Sequence, residues 1–458
     1  MSYLQDTIAA IATPRGNAGI GVIRCSGSDA FFIAGSLFSR SLEGAAGHTA
    51  LYGVLSHRDG RPIDRVLMTV FRGPASYTGE DTVEISCHGS RIILEEALEA
   101  LLEAGARLAE QGEFTRRAYL NGKLDLSRAE AVNDVITAGT REAKNMALRQ
   151  LEGGLGDRIA AFEKSLLALV ASIEAAIDFP EDVPEPDRDT LTADCRRIRG
   201  DIHALIGASE RAHVFRDGIR IALAGSVNAG KSSLLNALLE RNRAIVTDIP
   251  GTTRDTLEEQ TDICGIPCLL IDTAGVRETR DPVESRGVAR TLEAIRTADL
   301  TLVLFDSGRS VSEEDRRILE LVSDKEFLPV INKTDLGRED EEAEILSLIG
   351  SVTEKKPVRI SAAAPEGIDL LVKTIYNIFI SDSLSRESVV MTNLRHTQCL
   401  KEARESLDKA LDSIGMGLAI DFVSIDLRGA LLSLGRITGS GAADDLLDTI
   451  FSGFCIGK

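Results

Sequence analysis

Hydrophobic and polar residues follow different patterns in different parts of the chain. Residues 1–119 contain short β-rich apolar runs separated by Gly and Pro turns, with one apparent helix over residues 92–103. This mixture is typical of an α+β domain. The predicted strands cover residues 19–24, 65–71 and 82–86.

From about residue 120 the apolar residues recur every three or four positions, which predicts helices with one buried face. The first stripe runs from Ile159 to Ile177 and stops at residues 179–187, where prolines and acids favour a loop. A second helical run follows as far as about Ala212. The C-terminal region is helical again, with a stripe from Leu400 to Ile414.

Between these helical regions, short apolar runs alternate with turns and helix-compatible segments. This order predicts a βαβ series, that is, a parallel sheet with helices on both faces. The predicted strands cover residues 219–224, 268–271, 300–305, 328–331 and 358–360.

The helical runs on either side of this α/β region each have an apolar stripe to bury. One helical domain that is split in sequence, with the α/β domain inserted into it, is therefore the most economical architecture. The predicted fold class is multidomain α/β and α. The predicted organisation is an N-terminal α+β domain (1–119), a first helical segment (120–217), the inserted α/β domain (218–380) and a second helical segment (381–458).

Composition narrows the functional classes. The chain has 458 residues and 43% hydrophobic residues, which argues against wholesale disorder. Its net charge is −19, from 52 Lys and Arg against 71 Asp and Glu, so RNA would have to bind at a local patch. The mildly basic stretch 107–128 is one such region. No apolar run approaches the length of a membrane span, so we expect no membrane contact.

The seven cysteines are scattered and odd in number, which favours reduced thiols and a cytoplasmic protein. Cys264 and Cys268 form a lone C-x-x-x-C pair. A zinc site there has no second pair of ligands, so two small strand residues are the preferred interpretation. Asp6 and the lack of a long apolar run argue against a secretory signal at the N-terminus.

Residues 225–232 match the phosphate-loop pattern G-x-x-x-x-G-K-[ST], between a predicted strand and a predicted helix. Backbone N–H groups and the helix N-terminus would surround phosphate oxygens there. Lys231 would neutralise the outer phosphates, and the Ser232 hydroxyl would reach Mg²⁺. Asp272 begins a D-x-x-G motif at the end of a strand, where it can hold the magnesium shell, and Gly275 lets the backbone approach a γ-phosphate.

Residues 332–335 read Asn-Lys-Thr-Asp after another strand. The Asp335 carboxylate can accept hydrogen bonds from N1–H and the 2-amino group of guanine, which adenine does not offer in that arrangement. A buried acceptor without a donor is costly, so this pattern disfavours an ATP-dependent enzyme. Ser361 and Ala362 are placed for a backbone contact to the guanine oxygen. Together these elements resemble the GTPase superfamily over residues 218–380.

Val276 occupies the position of the glutamine that orients water in Ras-like GTPases, so hydrolysis would be weak or would use another group. Residues 247–255 resemble a first switch, in which Thr253 is a candidate magnesium ligand. Asn228 could help to coordinate a monovalent cation, or it could be an ordinary turn residue. Glu284 could position water, or it could belong to a solvated loop.

Five further segments extend the resemblance to the whole chain: residues 6–14, 19–24, 73–81, 112–126 and 454–458. With them, the chain resembles the MnmE (TrmE) family of tRNA-modification GTPases. The resemblance implies a homodimer formed through an N-terminal domain that binds a formyl- or methylene-tetrahydrofolate. It also implies a flavin-dependent partner, MnmG (GidA), and addition of a carboxymethylaminomethyl- or aminomethyl-type group to the wobble uridine of tRNA.

The resemblance implies that K⁺ promotes dimerisation of the GTPase domains and GTP hydrolysis, and it assigns roles to individual residues. Ser232 and Thr253 match the Mg²⁺ ligands, and Glu284 matches the catalytic acid. The K⁺ positions match Asn228, Thr247, Ile249 and Thr252. The folate contacts match Arg24, Glu84, Lys123 and Lys458. The expected GTP contacts are Asn228, Ala229, Gly230, Lys231, Ser232, Ser233, Thr247, Asp248, Ile249, Pro250, Gly251, Thr252, Thr253, Asp272, Thr273, Ala274, Gly275, Asn332, Lys333, Asp335, Ser361 and Ala362.

The charges of the four residues that match the folate contacts suit the chemical groups of a folate. The three cations Arg24, Lys123 and Lys458 can pair with the carboxylates of a folate, and Glu84 can accept hydrogen bonds from its pterin ring. The resemblance also places Cys455 near this site, where either a chemical or a structural role fits. The alternative function is a regulatory Era-like GTPase that acts in RNA or ribosome assembly without modification chemistry, which leaves the N-terminal domain without a ligand.

Overall fold

The computed structural model describes residues 6–14, 16–241, 258–272, 292–362, 365–380, 393–441 and 443–458. Contacts divide the chain into two compact units. The first unit consists of Met1–Asn133, Gln150–Arg199 and Cys399–Lys458. The second unit consists of Asp134–Arg149 and Gly200–Gln398.

The described strands and helices follow the order that the hydrophobic patterns of the sequence predict. The strands are β1 (Ile8–Ile11), β2 (Ala18–Ser26), β3 (Thr49–Ser56), β4 (Pro62–Phe71), β5 (Thr82–Gly89), β6 (Arg107–Leu108), β7 (Ile219–Gly225), β8 (Glu258–Ile263), β9 (Ile266–Asp272), β10 (Leu300–Asp306), β11 (Phe327–Asn332) and β12 (Val358–Arg359). The helices are α1 (Ala30–Ser36), α2 (Arg91–Glu103), α3 (Glu113–Leu120), α4 (Leu126–Thr137), α5 (Arg141–Leu151), α6 (Gly156–Asp178), α7 (Arg188–Asp217), α8 (Lys231–Arg241), α9 (Glu313–Val322), α10 (Glu339–Gly350), α11 (Pro365–Phe379), α12 (Leu394–Gly415), α13 (Ile420–Thr438) and α14 (Asp444–Phe451). A short helical segment also covers residues 292–297.

The first unit contains a six-stranded sheet in the order β3-β4-β5-β2-β1-β6. Neighbouring strands are antiparallel except for β1 and β6, which are parallel. Apolar side chains on one face of the sheet pack against α1 and α2, where Ile33, Leu94 and Leu101 are buried. The predicted strands and the predicted helix over residues 92–103 are confirmed within β2, β4, β5 and α2.

The long helix α6 packs along α13, which lies far away in the sequence. Ile159, Leu166 and Ile173 of α6 are buried, as the stripe predicts. Leu427 and Leu434 of α13 are buried as well. The helical segments that precede and follow the inserted region therefore bury apolar faces against each other.

The second unit contains a six-stranded sheet in the order β12-β11-β10-β7-β9-β8. The five strands that the sequence predicts are parallel, as expected. A sixth strand, β8, was not predicted and pairs antiparallel with β9 at the edge of the sheet. The tight turn between β8 and β9 holds Cys264 and Gly265 at positive φ. Cys264 is therefore an exposed turn residue and not a strand residue, whereas Cys268 is buried in β9.

Apolar cores lie on both faces of this sheet. One core includes Leu234 of α8 and Leu371 of α11, and the other includes Ile318 of α9 and Ile345 of α10. The first core also takes in residues that precede the predicted inserted domain. These residues are Met146, Ala147, Val214 and Phe215.

All seven cysteines are free thiols in the structure. Across the described ranges, no cluster of His, Cys, Asp and Glu side chains is suited to hold a metal ion. Within the same ranges, no helix combines the length and apolarity needed to cross a membrane.

Candidate functional site

The phosphate loop lies between β7 and α8, as its motif predicts. Asn228 and Gly230 adopt positive φ angles of 66° and 97°, which turn the backbone around the start of α8. Lys231 Nζ donates to the carbonyl oxygens of Gly225 and Ser226, at 2.7 Å and 3.0 Å. Burial lowers the pKa of the Lys231 ammonium, although the carboxylates of Asp272 and Glu314 oppose this effect. The loop thus combines a helix N-terminus with a held cation, which suits an anionic ligand.

Asn332 joins the phosphate loop to the other predicted guanine-binding segments. Its side chain is buried, and its Nδ2 donates to the carbonyl oxygen of Ala229 at 2.9 Å. Its Oδ1 accepts from the backbone N–H of Ala362 at 3.1 Å. A Cβ at Gly230 would lie 2.2 Å from Asn332 Nδ2, so this close approach requires glycine.

Lys333 makes a second connection to the phosphate loop. Its Nζ donates to the backbone carbonyl of Asn228 at 2.8 Å and to Asp306 Oδ2 at 2.6 Å. Burial raises the pKa of the Asp306 carboxyl, but hydrogen bonds from Lys333 and Gly308 outweigh burial and hold that pKa below its usual value. Asp335 is exposed at the end of the same segment, beside Thr334, whose backbone N–H donates to the carbonyl oxygen of Ile360.

The predicted magnesium residue Ser232 lies beside Asp272. Ser232 Oγ donates to Asp272 Oδ2 at 3.3 Å. Asp272 is the last residue of β9, and Ser232 lies in the first turn of α8, shortly after the neighbouring parallel strand β7. Hydroxyl and carboxylate oxygens are suitable ligands for Mg²⁺. Ser232 and Asp272 would therefore suit a magnesium ion beside the phosphate loop.

Several predicted site residues lie outside the described residues. Of the predicted K⁺ ligands, Asn228 is described and exposed; of the two predicted Mg²⁺ ligands, Ser232 is described. Ser233 is exposed in the first turn of α8. The residues outside the described ranges are Thr247, Asp248, Ile249, Pro250, Gly251, Thr252, Thr253, Thr273, Ala274, Gly275 and Glu284.

The sequence motifs did not reveal two further groups at the phosphate loop. Asp306 is the last residue of β10, the strand next to β7. An acidic residue at the carboxyl end of a predicted strand could have identified it from the sequence. Arg309 donates to Ser226 Oγ and to both carboxylate oxygens of Asp315, the latter at 2.9 Å and 3.0 Å. Arg309 had no local signal, because it reaches Ser226 from a loop more than 80 residues away.

A second polar cluster lies in the first unit, where three of the four predicted folate residues meet. Arg24 on β2 and Glu84 on β5 are direct cross-strand partners. Arg24 Nε and Nη2 donate to Glu84 Oε1 at 3.0 Å and 2.8 Å. Lys458 lies nearby and is half-buried. Its burial, and to a smaller extent the positive charge of Arg24, lower the pKa of its ammonium group.

Lys123 is exposed and contacts the segment of residues 73–81. Its Nζ donates to the carbonyl oxygen of Pro74 at 2.9 Å. The same segment carries Tyr77, whose ring centroid is 5.2 Å from Arg24 Cζ. Cys455 is exposed, and its carbonyl oxygen accepts from the backbone N–H of Lys458. The structure thus gathers Arg24, Glu84 and Lys458, with Lys123 on the neighbouring loop.

A buried ionic network behind this cluster was not found from the sequence. The Arg117 side chain is only 2% exposed. Its Nη2 donates to Asp6 Oδ1 at 2.6 Å and to Glu113 Oε1 at 3.0 Å, and its Nη1 lies 3.3 Å from Glu80. Because Glu80 belongs to the segment of residues 73–81, this network holds that segment against α3.

Comparison with known proteins identifies the family of the chain. The family model described as "MnmE helical domain" matches residues 126–455, and "GTP-binding protein TrmE N-terminus" matches residues 7–123. The tRNA modification GTPase MnmE of Carboxydothermus hydrogenoformans is 44% identical over 99% of this chain and 100% of its own length. The chain belongs to the MnmE family of tRNA modification GTPases. The MnmE protein of Acetivibrio thermocellus is 42% identical over the full length of both chains.

Among solved structures, an Era variant of Aquifex aeolicus bound to GDP·AlF₄⁻ aligns with 41% of this chain and 66% of its own. The identity is 25% and the TM-score is 0.29. The MnmE relatives, in contrast, extend over both compact units.

Proposed function

We propose that this MnmE-family chain is a K⁺-stimulated GTPase that works with a flavin-dependent partner of the MnmG (GidA) type. Together they install a carboxymethylaminomethyl- or aminomethyl-type group on the wobble uridine of tRNA, using a tetrahydrofolate one-carbon unit. The observation that carries the proposal is the presence of two polar clusters, one in each compact unit, in a chain that matches its MnmE relatives from end to end. One cluster suits a nucleotide, and the other suits a ligand with both hydrogen-bond donors and carboxylates.

The proposed domain organisation follows the sequence prediction. An N-terminal domain covers residues 1–119, the GTPase domain covers residues 218–380, and a helical domain is formed by 120–217 and 381–458. The packing of α6 against α13 supports a helical domain that is split in sequence. We propose that the protein acts as a cytoplasmic homodimer.

In the nucleotide site, the backbone of residues 228–232 and Lys231 would hold the phosphates, and Ser232 with Thr253 would hold Mg²⁺. Asp335 would select guanine, beside Ser361 and Ala362. The contacts of Asn332 support this assignment, because they hold the phosphate loop and the guanine segment in one fixed arrangement.

We assign the potassium site to Asn228, Thr247, Ile249 and Thr252, and the water-positioning role to Glu284. The backbone carbonyl of Asn228 already accepts from Lys333, so the side-chain amide oxygen is its candidate cation ligand. A bound monovalent cation would stabilise developing phosphate charge, which compensates for the apolar Val276 at the usual glutamine position.

The GTPase activity is tested by measuring hydrolysis in K⁺ and in Na⁺ at equal ionic strength, with and without the flavin partner. We expect faster hydrolysis in K⁺, and a Glu284→Ala variant that binds GTP normally but turns over slowly. Equal rates in both salts would contradict the potassium assignment.

The modification activity is tested by equilibrium binding of 5-formyl-tetrahydrofolate to the full chain, together with analysis of tRNA nucleosides after reaction with the partner. Binding and a modified wobble uridine are expected. A folded dimer that binds no reduced folate would favour a regulatory Era-like GTPase instead.

A further inference from the structure

Arg24 is already engaged by protein oxygens on every side-chain nitrogen. Nε and Nη2 donate to Glu84 Oε1, and Nη1 donates to the carbonyl oxygen of Gly457 at 3.2 Å. The side chain is 12% exposed, and the rings of Tyr77 and Phe114 lie 5.2 Å and 5.5 Å from its Cζ. A guanidinium held in this way has little freedom to turn toward a carboxylate of a ligand.

Glu84 presents the opposite picture. Among the described residues, Glu84 accepts two side-chain hydrogen bonds, and both end on Oε1. The Glu84 side chain is 29% exposed. Oε2 is therefore available to accept from a ligand. The register of β2 and β5 places Glu84 opposite Arg24, and the two bonds from Arg24 to Oε1 then hold the carboxylate and so the direction of Oε2.

The bond from Arg24 to Gly457 also fixes the C-terminal tail. Gly457 has a φ of 95°, and a Cβ there would lie 2.6 Å from the carbonyl oxygen of Ile11, so the tail approaches the sheet as closely as glycine allows. Ile456 forms an isolated bridge with Gln111. These contacts place Lys458, the next residue, beside the Arg24–Glu84 pair.

We propose that Arg24 is a positioning residue: it aligns Glu84 Oε2 and the C-terminal Lys458 in one site, and it does not itself bind the glutamate carboxylates of a folate. That task is left to Lys123 and Lys458, while Glu84 receives the pterin donors. The inference rests on the proposed folate function and assigns a different role to one member of its site.

Two ligands, both measured on the whole chain, distinguish a positioning role of Arg24 from direct binding of the folate carboxylates. One is 5-formyl-tetrahydrofolate, and the other is 5-formyl-tetrahydropteroic acid amide, which keeps the pterin and lacks the glutamate. We expect Arg24→Gln to weaken binding of both ligands by the same factor, roughly tenfold or more, because the alignment of Glu84 is lost. The matched variant Lys123→Gln should weaken only the ligand that carries glutamate.

A loss in Arg24→Gln that is confined to the glutamate-bearing ligand would overturn the inference, as would unchanged binding of both. If the wild type binds neither ligand, the folate proposal itself fails, and this inference with it. Should Arg24→Gln not fold, Arg24→Lys keeps the charge without the planar fork, and the same equal loss is expected. Faster amide hydrogen exchange at residues 456–458 in either variant is the structural readout, and unchanged exchange there would also contradict the proposal.

Discussion

The two polar clusters of this protein are built in different ways. In the second unit, loops at the ends of parallel strands are held by side chains that bond to backbone groups, as when the Asn332 amide bonds to the backbone of Ala229 and of Ala362. In the first unit, side chains carry the connections, as in the Arg24–Glu84 pair and the network around Arg117. The backbone-built site depends on glycine and on loop geometry, whereas the side-chain-built site depends on charge balance.

This difference decides which changes each site tolerates. A loop site is damaged by an added Cβ or by loss of one bridging amide, and such damage stays local. A buried ionic site is damaged when one ion is removed, because its partners then remain as uncompensated buried charges.

The largest expected effect is therefore in the first unit. Arg117→Ala removes the one fully buried cation that Glu113, Asp6 and Glu80 share, and Arg107 then still pairs with Glu113 and Asp6 but not with Glu80. We expect a loss of about 3–5 kcal/mol in the free energy of unfolding of this unit, measured by hydrogen exchange of α3 and β5 amides in urea. Arg91→Ala, which breaks the exposed pair with Glu95, is the control and should leave those amides unchanged.

Asp335→Asn tests the second unit. It replaces an acceptor with a donor, so we expect GDP binding to weaken roughly a hundredfold while binding of the xanthine nucleotide improves. Equilibrium binding of both nucleotides gives the measurement. An unchanged preference for guanine would remove Asp335 from the site.

Gly230→Ala tests the backbone construction of the phosphate loop. The new Cβ would meet Asn332 Nδ2, and φ at this position is 97°, so we expect nucleotide affinity to fall by about 1–3 kcal/mol. Gly200→Ala is the matched control, since Gly200 lies within helix α7 with open space around its Cβ position. The control should leave nucleotide binding intact and stabilise its helix slightly. Equal affinity in Gly230→Ala would show that the loop accommodates the methyl group.

The same contrast explains what the sequence could predict. The phosphate loop and the segment 332–335 are each a continuous stretch of sequence, because a backbone cradle is made by neighbouring residues. Both motifs could therefore be found from the sequence, and the predicted strands and helices around them are largely confirmed. The antiparallel edge strand β8 was missed, since its polar sequence Glu-Glu-Gln-Thr-Asp-Ile lacks an apolar alternation and its pairing with β9 is tertiary.

The first unit's cluster was predictable only through the family resemblance. Arg24, Glu84 and Gly457 are separated by up to 433 residues, and no local pattern links them. Arg117 was hidden for a different reason. An arginine on an amphipathic helix is normally solvent-exposed, and only the fold shows that carboxylates from distant segments surround this one.

The smallest expected effect is a pH dependence of the first unit. Burial would raise the pKa of Glu113, but hydrogen bonds from Arg107, the Glu110 backbone and Arg117 outweigh it and hold that pKa below its usual value. The pKa of Asp6 is held below its usual value in the same way, because Arg107 and Arg117 outweigh the effect of burial. A carboxyl whose pKa is lower in the folded state stabilises the fold above its unfolded-state pKa, and this contribution disappears as the pH falls through the folded value.

Arg107→Gln should therefore lower the unfolding free energy near pH 7, and its difference from the wild type should shrink as the pH falls from about 5 toward 3. Since Arg107 is more than a third exposed, solvent screening limits the difference to about 1 kcal/mol or less. Urea unfolding followed at several pH values checks the trend. A difference that stays constant down to pH 3 would mean that Arg107 supports α3 through packing and not through its charge, and the contrast between a charge-built and a backbone-built site would then rest on Arg117 alone.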